Sequence, residues 1–151
     1  MHALLFVVAV QAVGFFGGFS TAGSIDGWYA SLVRPVFAPP NWVFGPVWFV
    51  LYAFIGIAWY RLYSMKKSKV REKMLELFYM QLVLNALWTP VFFGAHATVA
   101  ALVMIVLMDV IVFGLLMMLR KYDTKSYYLL LPYWAWIMFA TLLNAGFVIL
   151  N

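Results

Sequence analysis

Five apolar runs, each of about 20 residues and separated by short polar or proline-rich breaks, leave this chain essentially one class of fold. A run of that length matches the hydrocarbon thickness of a bilayer when it is helical, because each residue advances the helix by about 1.5 Å. Composition agrees: 67% of the residues are hydrophobic, only 10% are charged, and the mean hydropathy is +0.97. A soluble domain of 151 residues would need far more polar surface. The expectation is an all-α integral membrane protein, a single five-helix domain over residues 1–151 with no room for a separate soluble domain. The helices are expected at about 3–22, 42–63, 76–94, 98–119 and 127–150. The first run is read as a span because Met1-His2 lacks the cationic start of a signal peptide.

The break between the first two helices is unlike the others. Residues 28–40 hold Trp28, Tyr29, Arg34, Pro35 and the doublet Pro39-Pro40. Each proline lacks a backbone N–H and biases the residue before it toward extended geometry, so no helix runs through to Pro40. Pro46 falls in the first turn of the second helix, where a missing N–H costs little. A stiff, aromatic segment of this kind is a poor solvated connector and reads as a lid.

Charge sets the expected topology. Arg61, Lys66, Lys67, Lys69, Arg71, Lys73, Arg120, Lys121 and Lys125 all flank one membrane face, against Arg34 alone at the other. The positive-inside rule places the basic loops and the N-terminus in the cytoplasm of a plasma-type membrane, with the lid facing outward. The net charge of +5 is therefore a topology signal and not a nucleic-acid footprint.

Polar side chains are costly in hydrocarbon, so their placement is informative. Gln81, Asn85, Trp88 and Thr89 share one face of the third helix; Tyr133, Trp136, Ala140 and Asn144 share one face of the fifth. Trp48 and Tyr52 lie four apart on the second. Most of these lie toward the lid half of the membrane, as the walls of a cavity for a flat, mostly apolar ligand would. Two other readings stay open from spacing alone: interfacial aromatic anchoring and helix-to-helix hydrogen bonding by the amides. Gly14 and Gly18 form a GxxxG pair on the first helix, suited to close packing within the monomer or in a dimer.

Catalytic constellations are absent. There is no cysteine, and His2 and His96 are too few for a metal site. His96 reads as a solvated turn residue, with lone axial ligation of a haem iron as the other reading. Asp109, the one carboxylate deep in a predicted span, is expected to hydrogen-bond structurally; a proton-coupled exporter built on Asp109 is the alternative.

The ordered stretches WYASLVRPVFAPPNWVFGPVWFVLY, NALWTPVFF and PYWAWIMFATLLN resemble those of the tryptophan-rich sensory protein family, also called the translocator protein or peripheral-type benzodiazepine receptor family. The resemblance implies a five-helix bundle, commonly a homodimer, with a pocket beneath the loop between the first two helices. It implies binding of porphyrins (protoporphyrin IX or haem-like tetrapyrroles) and of benzodiazepine-site ligands, in tetrapyrrole handling or stress signalling, as a receptor or carrier. No further cofactor is implied. Carried onto this chain, the family's pocket positions are Tyr29, Pro40, Trp48, Asn85, Trp136 and Ala140, bordered by Leu143 and Asn144. Tyr52 and Trp88 join them from the spacing argument. A light- and oxygen-dependent breakdown of porphyrin by the pocket tryptophans is the alternative activity. The animal cholesterol motif needs a tyrosine followed by a basic residue near the end of the fifth helix, and residues 144–151 hold neither, so sterol recognition is not expected.

Overall fold

The computed structural model describes residues 2–151, apart from the side chains of His2, Phe19, Ser20, Ala22, Ile25 and Asp26. Five α-helices carry the fold: α1 (His2–Ala22), α2 (Phe44–Ser64), α3 (Lys69–Thr89), α4 (Thr98–Tyr122) and α5 (Thr124–Leu150). No strand occurs among the described residues. The helices pack in a ring in the order α1, α2, α5, α4, α3, which closes by contact of α3 with α1. Four of the helical segments are long and apolar enough to span a membrane, and α1 adds the shorter apolar stretch Ala3–Gly18. Together they form the expected membrane bundle. Large apolar side chains such as Val103, Val110 and Phe113 are exposed on its outer surface, where hydrocarbon would meet them.

One repeating pattern builds the bundle. Along α4 the buried residues Ala101, Ile105, Met108, Val112, Leu115 and Leu119 recur at alternating steps of four and three. That spacing keeps one stripe facing a neighbouring helix. Leu51, Ile55, Ala58 and Leu62 repeat it on α2. On α3 the stripe changes character part-way, from Met74 and Phe78 to Gln81 and Asn85. The basic half of the bundle is thus packed with aliphatic and aromatic side chains, and the loop half is where polar groups turn inward. α1 docks by close approach: a Cβ on Gly56 would lie 2.5 Å from the Val7 Cα.

Helix α3 begins at Lys69, well before the expected residue 76. The Ser68 hydroxyl caps it by accepting from the Arg71 N–H at 3.2 Å. Arg71 in turn donates to the Leu62 and Tyr63 carbonyls at the end of α2. Charged residues that read as loop are instead helical, reaching back to the membrane edge. At the other hairpin the single residue Asp123 joins α4 to α5 and is held to α2 by Arg61, at 2.6 and 3.1 Å. Burial pushes the Asp123 carboxyl up, but hydrogen bonds from Arg61 and Ser126 and the Arg61 charge together hold it below the usual carboxylate range.

At the loop end, Trp28 and Tyr29 are not extended. They belong to a π-helical turn, Ile25–Tyr29, and the irregular segment begins only after Ser31. The Pro39-Pro40 doublet then leads into a 3₁₀ turn, Asn41–Val43, that opens α2. Regular α3 geometry ends at Thr89, short of the expected residue 94, and a second π turn, Pro90–Gly94, follows it.

Candidate functional site

A cavity of about 1000 Å³ occupies the loop half of the bundle. Its floor is a directed chain of hydrogen bonds. Tyr52 Oη donates to Asn85 Oδ1 at 2.9 Å, Asn85 Nδ2 donates to Tyr133 Oη at 3.1 Å, and Tyr133 Oη donates to Gln81 Oε1 at 2.8 Å. The rows read on α3 and α5 therefore meet, and α2 joins them through Tyr52. In a medium without water each partner fixes the next, so the chain sets the relative rotation of three helices. Tyr133 and Gln81 are fully buried beneath the cavity and do not face it.

Above the floor the walls are aromatic. Trp48 lies 5.1 Å from the Tyr52 ring, Trp88 stacks on Phe92 at 5.0 Å, and Trp136 packs on Phe44 and Phe139. Leu143, Asn144 and Phe147 continue the α5 wall, and Ile105 and Met108 supply that of α4. Three buried polar atoms in these walls have no protein partner: Trp88 Nε1, Trp136 Nε1 and Asn144 Oδ1. The Asn144 amide is otherwise anchored, since its Nδ2 donates to the Thr98 carbonyl at 2.9 Å. All three are shielded by neighbouring protein atoms, and the polar side chains on the lining include those of Gln11, Asn41, Tyr52 and Asn85 in a mostly apolar wall.

Of the residues singled out from the sequence, Tyr29, Trp48, Tyr52, Asn85, Trp88, Trp136, Ala140, Leu143 and Asn144 all line this cavity. Pro40 does not: it precedes the 3₁₀ turn with φ −55° and ψ 145°, and Asn41 beside it takes the place on the wall. The expected lid reaches the cavity through Tyr29. That ring is buried against Phe92, Phe93 and Phe147. Burial raises the Tyr29 phenol above its ordinary range, with the Arg34 charge opposing. Arg34 itself sits 5.7 Å over the Tyr29 ring and donates to the Pro39 carbonyl at 2.8 Å, so it clamps the loop. Pro35 seats in the notch left by Gly146, where a Cβ would stand 2.6 Å from the Pro35 Cγ.

Two expectations hold, each with an added contact: His96 is an exposed turn residue and Asp109 a structural hydrogen-bonding partner. His96, read as a solvated turn residue, stacks on Trp28 at 4.2 Å and adopts φ 55°. The two ends of the molecule's outer turns are therefore in contact, which no local signal announces. Asp109 lies outside the cavity, with Oδ2 2.6 Å from the Thr141 hydroxyl on the seam between α4 and α5. The GxxxG pair is used within the monomer at Gly14, where a Cβ would run into the Tyr52 ring. Gly17 similarly faces Thr89. Sequence reasoning missed the whole α1 contribution to the wall, Val8, Gln11, Ala12, Phe15 and Gly18 among it. Apart from the glycines and Gln11, that helix is apolar on every side and marks no face. Among the described residues no group of three or more His, Cys, Asp or Glu side chains could hold a metal.

Comparison with known proteins bears on what the cavity serves. Residues 6–150 match the family model described as the TspO/MBR family. The chain is 42% identical over 148 residues to the tryptophan-rich protein TspO of Archaeoglobus fulgidus, covering 96% of this chain and 94% of that one. It is 34% identical over 144 residues to the translocator protein of Bos taurus, covering 94% and 85%. With the tryptophan-rich sensory protein of Cereibacter sphaeroides it shares 34% identity over 138 residues, covering 89% and 85%.

Proposed function

The chain belongs to the TspO/MBR family, and from that premise we propose that it is a membrane receptor whose cavity binds porphyrins and similarly flat, hydrophobic ligands of the benzodiazepine-site type. Protoporphyrin IX or a haem-like tetrapyrrole is the ligand class. The observation that carries this reading is the wall itself: three tryptophans around a space of about 1000 Å³, with the polar side chains of Gln11, Asn41 and Asn85 on its lining. Broad aromatic faces stack on a planar macrocycle. The polar atoms would orient its few heteroatoms or side-chain carboxyls, since a buried donor gains most when it meets an acceptor.

The charge asymmetry supports an orientation with the basic turns cytoplasmic and the loop face outward. A transport reading built on Asp109 gains no support, because that carboxyl does not face the cavity. The test is a tryptophan-quenching titration with protoporphyrin IX in detergent. Trp48→Ala and Trp136→Ala should each weaken binding by about 1 kcal/mol or more, the scale of a lost aromatic contact. Unchanged titrations in both variants would overturn the assignment.

A further inference from the structure

The cavity is not sealed equally on all sides. Asn85, Phe92, Ile105, Met108, Leu143, Asn144 and Phe147 are buried, as wall residues of an internal space should be. On α1 and α2 the opposite holds. Val8, Phe15 and Phe49 line the same cavity and yet are 56%, 69% and 66% exposed. Lining residues left that open mark a side of the cavity that other protein atoms do not cover.

Glycines mark that side. Toward the basic end the two helices are in backbone contact at Val7 and Gly56, and at Gly14 the Tyr52 ring fills the space. Nearer the loop end, Gly18 on α1 and Gly45 on α2 both line the cavity, and among the described residues neither has an atom within 4 Å of where a Cβ would stand. Between these levels Gln11 Nε2 donates to the Phe49 carbonyl at 2.8 Å, across the seam. In hydrocarbon an amide holds such a bond for want of any other partner, so it acts as a clasp. Among the described residues the roof is tied down: Tyr29 is buried, and the loop is clamped by Arg34, by Pro35 in the Gly146 notch, and by Asn151 pairing with both Val33 backbone groups.

We propose that the cavity is loaded from within the bilayer, sideways through the seam between α1 and α2, with Gly18 and Gly45 as its mouth and the Gln11–Phe49 bond as its lower clasp. The inference rests on the cavity being the binding site proposed above. It adds that the ligand class consists of molecules that first partition into the membrane.

The experiment is stopped-flow tryptophan quenching by protoporphyrin IX, with the full chain in phosphatidylcholine nanodiscs. Gly18→Leu and Gly45→Leu add bulk that meets no protein atom but narrows the mouth. Each should slow association and dissociation together by about tenfold, as an added gating step does. Gly114→Leu, equally free of contacts but on α4 away from the cavity, should change neither rate. Gln11→Ala, which opens the clasp without adding bulk, should speed both rates and decides the matter even if a leucine variant fails to fold. Parental rates in Gly45→Leu and Gln11→Ala alike, with Trp136→Ala still weakening affinity, would overturn the lateral route and leave the cavity reading intact. Parental affinity in Trp48→Ala and Trp136→Ala alike would overturn the cavity reading and the route with it.

Discussion

Along α4 the cavity meets Ile105 and Met108, each 2% exposed, whereas along α1 it meets Val8 and Phe15, each more than half exposed. The two walls are made by different physics. α4 carries a stripe of large side chains at steps of four and three, and it packs along much of its length on α5 and α3. α1 has no such stripe. Val10 is its one buried residue among those described, and it is held by close approach at Gly14, Gly17 and Gly56. A wall of interlocking side chains is sealed by those side chains, while a wall held by close backbone approach at glycines has fewer side chains to close it.

The largest expected effect attacks the glycine-held wall at its tightest point. Gly56→Leu puts a side chain into the Val7 backbone, and no rotamer relieves a clash with a Cα. We expect a loss of about 3 kcal/mol, the upper range of overpacking, read as a lower thermal midpoint in detergent. The edge contact of Phe6 on Trp59, at 4.8 Å, should be lost with it and shift the tryptophan emission. The same substitution at Gly114, on the sealed side but facing open space, should stay within about 0.5 kcal/mol. Equal losses at the two glycines would erase the distinction between the walls.

A smaller effect is expected where the sealed side is tied to α2. The α4–α5 hairpin turns at Asp123, which is paired with the half-buried Arg61. Because the folded Asp123 lies below its ordinary value of 3.8, its contribution to stability is fully present at neutral pH. That contribution is lost as pH falls below about 4 and through the lowered folded value. Asp123→Asn should therefore lower the thermal midpoint at pH 7, by about 1 kcal/mol or less for a partly solvated pair. The gap between parent and variant should close toward pH 3. A gap that stays constant with pH would assign the effect to the side chain's shape and not to its charge.

The two walls also differ in how far the sequence announced them. Asn85, Trp88, Trp136, Ala140 and Asn144 could be placed on inward faces because an amide or indole in hydrocarbon has few tolerable positions. The five helices were readable for the same reason: the solvent permits little else. On α1 nearly every residue suits lipid and core alike, so its cavity-facing stripe at Val8, Ala12 and Phe15 carried no mark. The start of α3 was hidden by Lys69, Arg71 and Lys73, which look like loop and are helical because long cationic side chains reach the interface from inside a helix. The stacking of Trp28 on His96 joins turns far apart in sequence, and local pattern has no access to it.

The smallest expected effect concerns the roof, the third boundary of the cavity. Pro39 and Pro40 stiffen the segment ahead of α2, and replacing both with glycine enlarges the set of conformations open to the loop. The cost is about 0.4–1 kcal/mol per residue, acting chiefly on the loop's own freedom. Yet the loop is held at three points: by the Arg34–Pro39 clamp within it, by the Pro35 ring at Gly146 of α5, and by the Asn151 amide just beyond α5 on Val33. Helicity should stay near normal, protease sensitivity between residues 24 and 41 should rise, and ligand release should quicken by about twofold to fivefold, the equivalent of one of the two residues' cost, because the loop stays tied down. If ligand passes between α1 and α2, this change must be smaller than the change produced by Gln11→Ala in the same nanodiscs. A roof variant that releases ligand faster than the clasp variant would make the loop the door and the open wall merely thin.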